Sequence, residues 1–427
     1  MHDLKFLRQH RDKVEAGIAL RGTALDLSRF YQIEARRLAL LHESEQLKAR
    51  KNAASEDIAR LKKSGGDATG PIAESRGLGD RVKELDQELR QLEEESTNLA
   101  AWIPNLPHPS VPPGSDATQN KTVRTWGEIP KFDFEPKAHW DLATNLGLLD
   151  FERAAKISGS GFLLFTRRGA RLERALISFM LDFHVQHHGY TEVSPPHVVR
   201  RAALHGTGQL PKLESDMYHI GEDDLFLNPT AEVPVTNIYR DEILEPGMLP
   251  RYLTAHCASY RREAGAAGRD TRGMVRVHQF DKVELVKIVP PETSYDEHEK
   301  LSRDVADIFE ALELPYRVLL LCSGDMGFAA AKCYDFEVWA PGLNTWLECS
   351  SCSNFEDFQA RRMAMRFRRE AGAKVEYPHT LNASGVALPR TFATLLENHQ
   401  QADGSVVIPK ALRPWLGGLE VLEPITG

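Results

Sequence analysis

The chain has 427 residues, of which 42% are hydrophobic and 27% charged, with a formal net charge of −8. This is the composition of an ordinary globular protein, long enough for two domains or for one large domain with an appendage. No run of about 18 apolar residues occurs, which excludes a membrane-spanning helix, and five cysteines, an odd number, do not make a disulfide framework.

Taken in chain order, Met1 to His10 alternates charged and apolar residues and lacks the apolar core of a secretory signal, so a reducing cytoplasm is the expected compartment. A helical hairpin is expected over about 28–101, within an N-terminal domain of residues 1–102. Leu78, Val82, Leu85, Leu89, Leu92 and Leu99 recur at alternating spacings of four and three, with Ser96 in the remaining seam position. The partner helix is expected from about Ser28 to Lys63, where Leu38, Leu41, Leu47, Ile58 and Leu61 are loosely periodic. Ser64-Gly65-Gly66 and Gly70-Pro71 supply turn chemistry between the two. At 1.5 Å per residue such a rod is on the order of 50 Å long. Lys48, Arg50, Lys51, Arg60, Lys62, Lys63 and Arg76 gather toward its turn, and Glu93, Glu94 and Glu95 toward its base. Two readings stand at this point: a plain solvated coiled coil, or a basic tip that meets a phosphate backbone.

Residues 103–118 form a Pro-rich linker that cannot continue a helix. From 119 to 427 the pattern changes to short apolar runs such as Val283 to Val289 and Tyr316 to Cys322. These alternate with helical stretches such as Arg171 to His187 and Arg390 to Gln400. An α+β body on a largely antiparallel sheet fits this better than regular βαβ alternation. Neither GxGxxG nor GxxxxGK[ST] occurs, so Rossmann and P-loop nucleotide sites are not supported.

The richest stretch runs from Tyr260-Arg261-Arg262-Glu263 through a Gly-rich loop to Arg276-Val277-His278-Gln279-Phe280, and reads as strand, loop and strand. A guanidinium held in a sheet suits a phosphate, although an Arg-rich hairpin taken alone is more often a surface loop. Three motifs then stand in order: Gly189-Tyr190 with Val193 and Pro196, Arg261-x-Glu263 with Arg276 and Phe280, and Ala387-Leu388-Pro389-Arg390 leading into a helix. This order resembles the three signature motifs of class II aminoacyl-tRNA synthetases, the first of which builds that class's dimer interface.

Finer stretches narrow the resemblance. Asn228-Pro229-Thr230-Ala231-Glu232-Val233-Pro234, Gly206 to Lys212, Arg269 to Gly273, Ser350 to Asn354 and His379 to Gly385 are similar to the seryl-tRNA synthetase family, bacterial type, as are the arm and the linker. The likeness covers essentially the whole chain. It departs at Tyr260, where Phe is usual, and at Ala383, where Gly is common; neither is an acid, base or charged group.

The resemblance implies ATP-dependent activation of L-serine, transfer to tRNA(Ser), transfer to tRNA(Sec) where the host has it, and a homodimer whose arm acts across subunits. It implies that Arg261 holds the α-phosphate and the serine carboxylate, Glu263 reads the adenine amino group, Phe280 stacks on the ring and Val277 offers backbone contacts. Arg390 would take the γ-phosphate and Arg276 would orient the bent triphosphate, with Arg262, Cys349 and Ser350 also in the ATP site. Glu348 and Ser351 would ligate Mg2+. Thr230, Ala231 and Glu232 would meet the serine amino group, and Glu284 and Ser384 its hydroxyl. Lys48, Arg50, Lys51, Arg60, Lys62 and Lys63 would serve tRNA. Against these stand plainer readings: surface ion pairs for the arginines, a core residue for Phe280, and a solvent-facing carboxylate for Glu284. Val283 and Leu285 flank Glu284, so alternation puts it on the opposite face, where a site could equally lie.

Cys349-x-x-Cys352 lacks a second Cys/His pair nearby, so no zinc is expected and both read as structural neighbours of the site. Three alternatives remain to be weighed. A truncated relative that loads carrier proteins would lack the arm, a non-catalytic paralogue would have lost Arg261, Glu263, Arg390 or Glu348, and a coiled-coil scaffold would lack the ordered motifs.

Overall fold

The computed structural model describes residues 1–264 and 272–425. The Gly-rich stretch 265–271, including Arg269-Asp270-Thr271, lies outside the described residues. The chain divides into two compact units: residues 2–18 with 23–104, and residues 1 and 19–22 with 105–427.

The first unit is dominated by a hairpin of two helices, α1 (Ser28–Lys63) and α2 (Thr69–Ala100). On α2, Leu78, Val82, Leu85, Leu89 and Ser96 are buried, as the heptad spacing predicts. On α1 the seam differs from the expected one. Leu38 and Leu41 are 41% and 37% exposed, whereas Leu40 packs against Leu85 and Leu89, flanked by Leu47 and Leu92. The α1 seam runs Phe30, Ile33, Arg37, Leu40, Ser44, Leu47, and two polar members hide its period from a hydrophobicity count. Gly70-Pro71 also departs from expectation, lying in the first turn of α2 and not in the connection. Proline is tolerated there because the first helical N–H groups have no intrahelical acceptor. The turn is made by residues 64–68, with Gly65 at φ +72°.

Near the base of the hairpin Glu34 is buried and accepts hydrogen bonds from Ser96 Oγ at 2.6 Å and Arg37 Nε at 3.0 Å, and it pairs with Arg8. Burial alone would raise its pKa; the bonds from Arg37, Ser96 and Arg8 outweigh that and hold the carboxyl below its ordinary range.

In the second unit, eight strands among the described residues form one sheet. In chain order they are β1 (Lys121–Trp126), β2 (Thr191–Glu192), β3 (Arg251–Tyr260), β4 (Gln279–Val289), β5 (Tyr316–Leu320), β6 (Lys332–Ala340), β7 (Thr345–Asn354) and β8 (His379–Ala387). Their spatial order is β1-β5-β6-β7-β8-β4-β3-β2, antiparallel throughout except for the parallel β2–β3 pair. An antiparallel-rich sheet and an N-terminal helical hairpin are what the resemblance implies for the fold.

Three helices cover one face: α3 (Arg167–His187), α4 (Ser294–Ala311) and α5 (Leu388–Asn398). Each presents apolar residues three and four apart, such as Leu172, Leu176, Phe179 and Met180 on α3, to Val283, Leu285, Phe336 and Leu381 of the sheet. Helix α3 begins a turn earlier than expected because its first turn, Arg167-Arg168-Gly169-Ala170, carries no apolar signal; Gly169 lies against the backbone of Leu148. The last helix begins at Leu388, two residues early, with Pro389 in its first turn. A second core lies against the other face, where Val286 and Ile288 of β4 meet Ala255, Met363 and Phe367.

Candidate active site

Strand β4 sets up the site through its alternation. Val283 and Leu285 enter the helix-covered core, so Phe280, Lys282, Glu284, Val286 and Ile288 share the opposite face. Its last two residues are core, while Phe280 and Lys282 line a cavity of about 520 Å³. That volume is within the usual range for a small-molecule site. Glu284 is 1% exposed, which rules out its solvent-facing reading.

Two neighbouring strands reach the cavity by breaking their own alternation. In β7, Phe336 pairs with Ser350 but Glu337 pairs with Glu348, leaving Cys349 as the extra residue of a bulge. Residues three apart normally face opposite sides, yet after this slip Glu348 and Ser351 both line the cavity while the Cys349 side chain stays in the core. Burial pushes the Cys349 thiol up to about 12. In β8, Gly385 is the extra residue, so that Asn382, Ser384 and Ala387 line the cavity and Leu381, Ala383 and Val386 are core.

One end of the cavity is built for charge. Glu232 opens a short helix, Glu232–Thr236. Pro229 and Pro234 flank the segment and suit a turn into a helix better than a strand interior. Glu232 accepts from Gln359 Nε2 at 2.6 Å and Gln209 Nε2 at 3.4 Å, both neutral donors. Burial, and then the nearby Glu284 charge, push its carboxyl up to about 7. Glu284 is also raised by burial, opposed by its ion pair with Lys282. Thr230 Oγ donates to Glu284 at 3.1 Å and Asn382 Nδ2 donates to it at 3.1 Å. Arg261 Nε donates to the Pro229 carbonyl at 3.2 Å, and its guanidinium lies 5.3 Å from the Phe280 ring centre. Among the described residues no carboxylate forms an ion pair with Arg261, and no cation forms one with Glu232.

The other end gathers Glu263, Arg276, Val277, Glu348, Ser350, Ser351 and Arg390. Arg276 pairs with Glu263 at 3.1 Å, and Arg390 donates to the Glu348 carbonyl at 2.7 Å and to the Val275 carbonyl at 3.1 Å. Arg390 stands in the first turn of α5, whose unpaired N–H groups favour anions. Asp335, absent from the expected set, lines the cavity half-buried; desolvation and then Glu348 hold its carboxyl well above the ordinary range.

Three expected residues do not line the cavity: Glu284 is held beside it by Thr230, Lys282 and Asn382, and two others lie elsewhere. The Ala231 side chain is in the second core, and Arg262 donates to the Met217 carbonyl at 2.9 Å beneath the Tyr218 ring. Lys282, Asp335, Asn382 and Gln209, which line the cavity together with Thr207, Asp216, Asp325 and Ser353, and Gln359, which binds Glu232, are polar residues that sequence reasoning left out of the site. Lys282 had a signal, standing two residues before Glu284 on the same strand face.

The family model "tRNA synthetase class II core domain (G, H, P, S and T)" matches residues 215–399, the segment that carries most of this cavity, and the fold and the motif order are those of the class. The protein is a class II aminoacyl-tRNA synthetase. "Seryl-tRNA synthetase N-terminal domain" matches residues 1–107. Serine–tRNA ligase of Trichlorobacter lovleyi is 55% identical over 420 residues, covering 98% of this chain and 99% of that protein. That of Listeria monocytogenes is 54% identical, covering 99% of each. A crystal structure of seryl-tRNA synthetase from Pyrococcus horikoshii complexed with ATP is 36% identical and superposes with a TM-score of 0.95 over the whole of both chains. The chain belongs to the seryl-tRNA synthetase family, and its activity is that of a serine–tRNA ligase.

Proposed function

We propose that the chain activates L-serine with ATP, forming seryl-adenylate and pyrophosphate, and then passes the seryl group to the terminal ribose of tRNA(Ser). The observation that carries this reading is that one cavity holds a guanidinium and a buried carboxylate, neither with a counter-ion among the described residues, beside a hydrogen-bonded carboxylate. A hydroxyl-bearing amino acid such as serine brings the complementary carboxylate, ammonium and hydroxyl.

Arg261 takes the serine carboxylate and the α-phosphate, so it faces the charge that develops as the carboxylate attacks phosphorus. Glu232 and Thr230 meet the ammonium; Glu284 and Ser384 read the hydroxyl. A buried site with polar groups committed to a hydroxyl rejects alanine because those groups would be left unpaired. Phe280 stacks on adenine, Glu263 reads its amino group once released by Arg276, and Val277, Cys349 and Ser350 contribute backbone contacts. Arg276 and Arg390 hold the triphosphate. Arg262 and Ala231, whose side chains lie away from the cavity, contribute through their backbone.

Glu348 and Ser351, with Asp335 beside them, offer two carboxylates and a hydroxyl, an all-oxygen set that fits Mg2+ shared with substrate phosphates. When bound, the ion neutralises phosphate charge; orienting the nucleotide falls to Arg261, Arg276 and Arg390.

The arm serves tRNA. Lys51, Lys62 and Lys63 have no acidic partner among the described residues, while Lys48, Arg50 and Arg60 pair with Asp86, Glu74 and Asp57. Exposed pairs of this kind contribute little and can be exchanged for phosphate. Family membership further supports a homodimer whose arm serves the other subunit, action on tRNA(Sec) where present, and a cytoplasmic location. Among the described residues no helix is long and apolar enough to cross a membrane. The deciding test is amino-acid-dependent exchange of labelled pyrophosphate into ATP with serine, alanine, threonine, cysteine and glycine. Serine is expected to lead by a wide margin, and faster exchange with any other would refute the reading.

A further inference from the structure

Lys282 is 6% exposed, and an ammonium that deeply placed is not surface decoration. It stands on β4 two residues before Glu284, on the same face, and forms an ion pair with it. Its Nζ also donates to Thr230 Oγ at 2.7 Å, which orients that hydroxyl to donate to Glu284 at 3.1 Å. With Asn382 donating to the other Glu284 oxygen, this carboxylate is bound on both sides and neutralised. Among the described residues, Glu232 receives only amide donors. The serine end of the cavity thus carries two cations and two carboxylates arranged unequally: one closed pair, and one separated guanidinium and carboxylate.

We propose that Lys282 is a specificity-determining residue: by closing Glu284 into a neutral pair it reserves the substrate ammonium for Glu232 and bars amino acids that carry a second positive charge in place of the hydroxyl. This deepens the serine reading above and rests on it. A neutral hydroxyl can approach the Lys282–Glu284 pair and hydrogen-bond to it. An ammonium in the same position would meet Lys282 at close range among buried side chains, where like charges repel more strongly than in water. Without Lys282, Glu284 would be a second free carboxylate, attractive to that ammonium and competing with Glu232 for the first.

The probe is 2,3-diaminopropionate, which replaces the serine hydroxyl with an amine and changes little else in size. Pyrophosphate exchange by the full chain is measured with serine and with this analogue for the unaltered protein, Lys282→Met, Lys282→Gln and Glu284→Gln. The unaltered protein should strongly favour serine. Both Lys282 variants should shrink the kcat/KM ratio of serine to analogue by on the order of 100-fold. Glu284→Gln should slow serine but still exclude the analogue, because the Lys282 charge remains. Equal loss of both substrates in the Lys282 variants would show a merely structural lysine and overturn the proposal, as would admission of the analogue by Glu284→Gln. The unaltered protein gives a test independent of folding: relative to serine, analogue exchange should rise with pH as its second amine loses a proton. A flat ratio overturns the inference. Absence of exchange with serine itself would instead remove the serine reading, and this inference with it.

Discussion

Glu232 is expected to weaken the fold that holds it. Its carboxyl is raised from an ordinary 4.5 to about 7, first by burial and then by Glu284. Between those two values the folded chain binds a proton that the unfolded chain has released, so stability falls as pH rises through this window. Each tenfold change in proton affinity is worth 1.36 kcal/mol, so the full cost above pH 7 is about 3 kcal/mol. Glu232→Gln keeps the shape and the amide partners but removes the charge. The variant should match the parent near pH 5 and exceed it by about 3 kcal/mol at pH 8, while serine-dependent exchange falls by at least about 100-fold. Urea unfolding at pH 5, 6, 7 and 8, followed by tryptophan fluorescence, measures this, since Trp102 is the only one of six tryptophans outside residues 105–427. A stability difference that does not change with pH, or a less stable variant at pH 8, would refute the reasoning.

Arg261→Ala should lower exchange by about 10²- to 10³-fold with the melting curve retained; near-normal exchange would remove its phosphate role. Asp335→Asn should raise the Mg2+ concentration needed for half-maximal exchange by about tenfold, and an unchanged requirement would separate Asp335 from the ion. Replacing residues 45–84 by a short glycine turn should abolish charging of tRNA(Ser) and spare serine-dependent exchange, and loss of both would make the arm scaffold only. The cut is level because Glu43 meets Arg81 at 3.1 Å and Ser44 meets Asp86 at 3.2 Å across the hairpin.

Local signals were legible where one element decides the outcome. The α2 heptads, the three motifs in order and the buried face of Glu284 all follow from spacing within a single segment. Features that need a partner segment were not. Arg37 and Ser44 sit in the α1 seam because α2 supplies them with partners, Glu93 and Asp86, so an apolar count pointed instead to Leu38 and Leu41. The bulges at Cys349 and Gly385 exist only as mismatches between strands, and they bring Ser351 onto the face of Glu348. Lys282 and Asp335 look like ordinary strand charges until the neighbouring strands bury the first and half-bury the second.

The polar knot at Glu34 makes the hairpin a ruler. A seam of leucines alone tolerates sliding by a heptad, because every position repeats; a buried carboxylate committed to Arg8, Arg37 and Ser96 does not. Register is therefore pinned at the base, and the distance from base to turn is set by residue count. Seven residues added to each helix would move the turn outward by about 10 Å with the seam in phase. Four added to each would throw the seam beyond the insertion out of phase. The arm's reach is thus a length written in heptads, changeable in steps but not continuously.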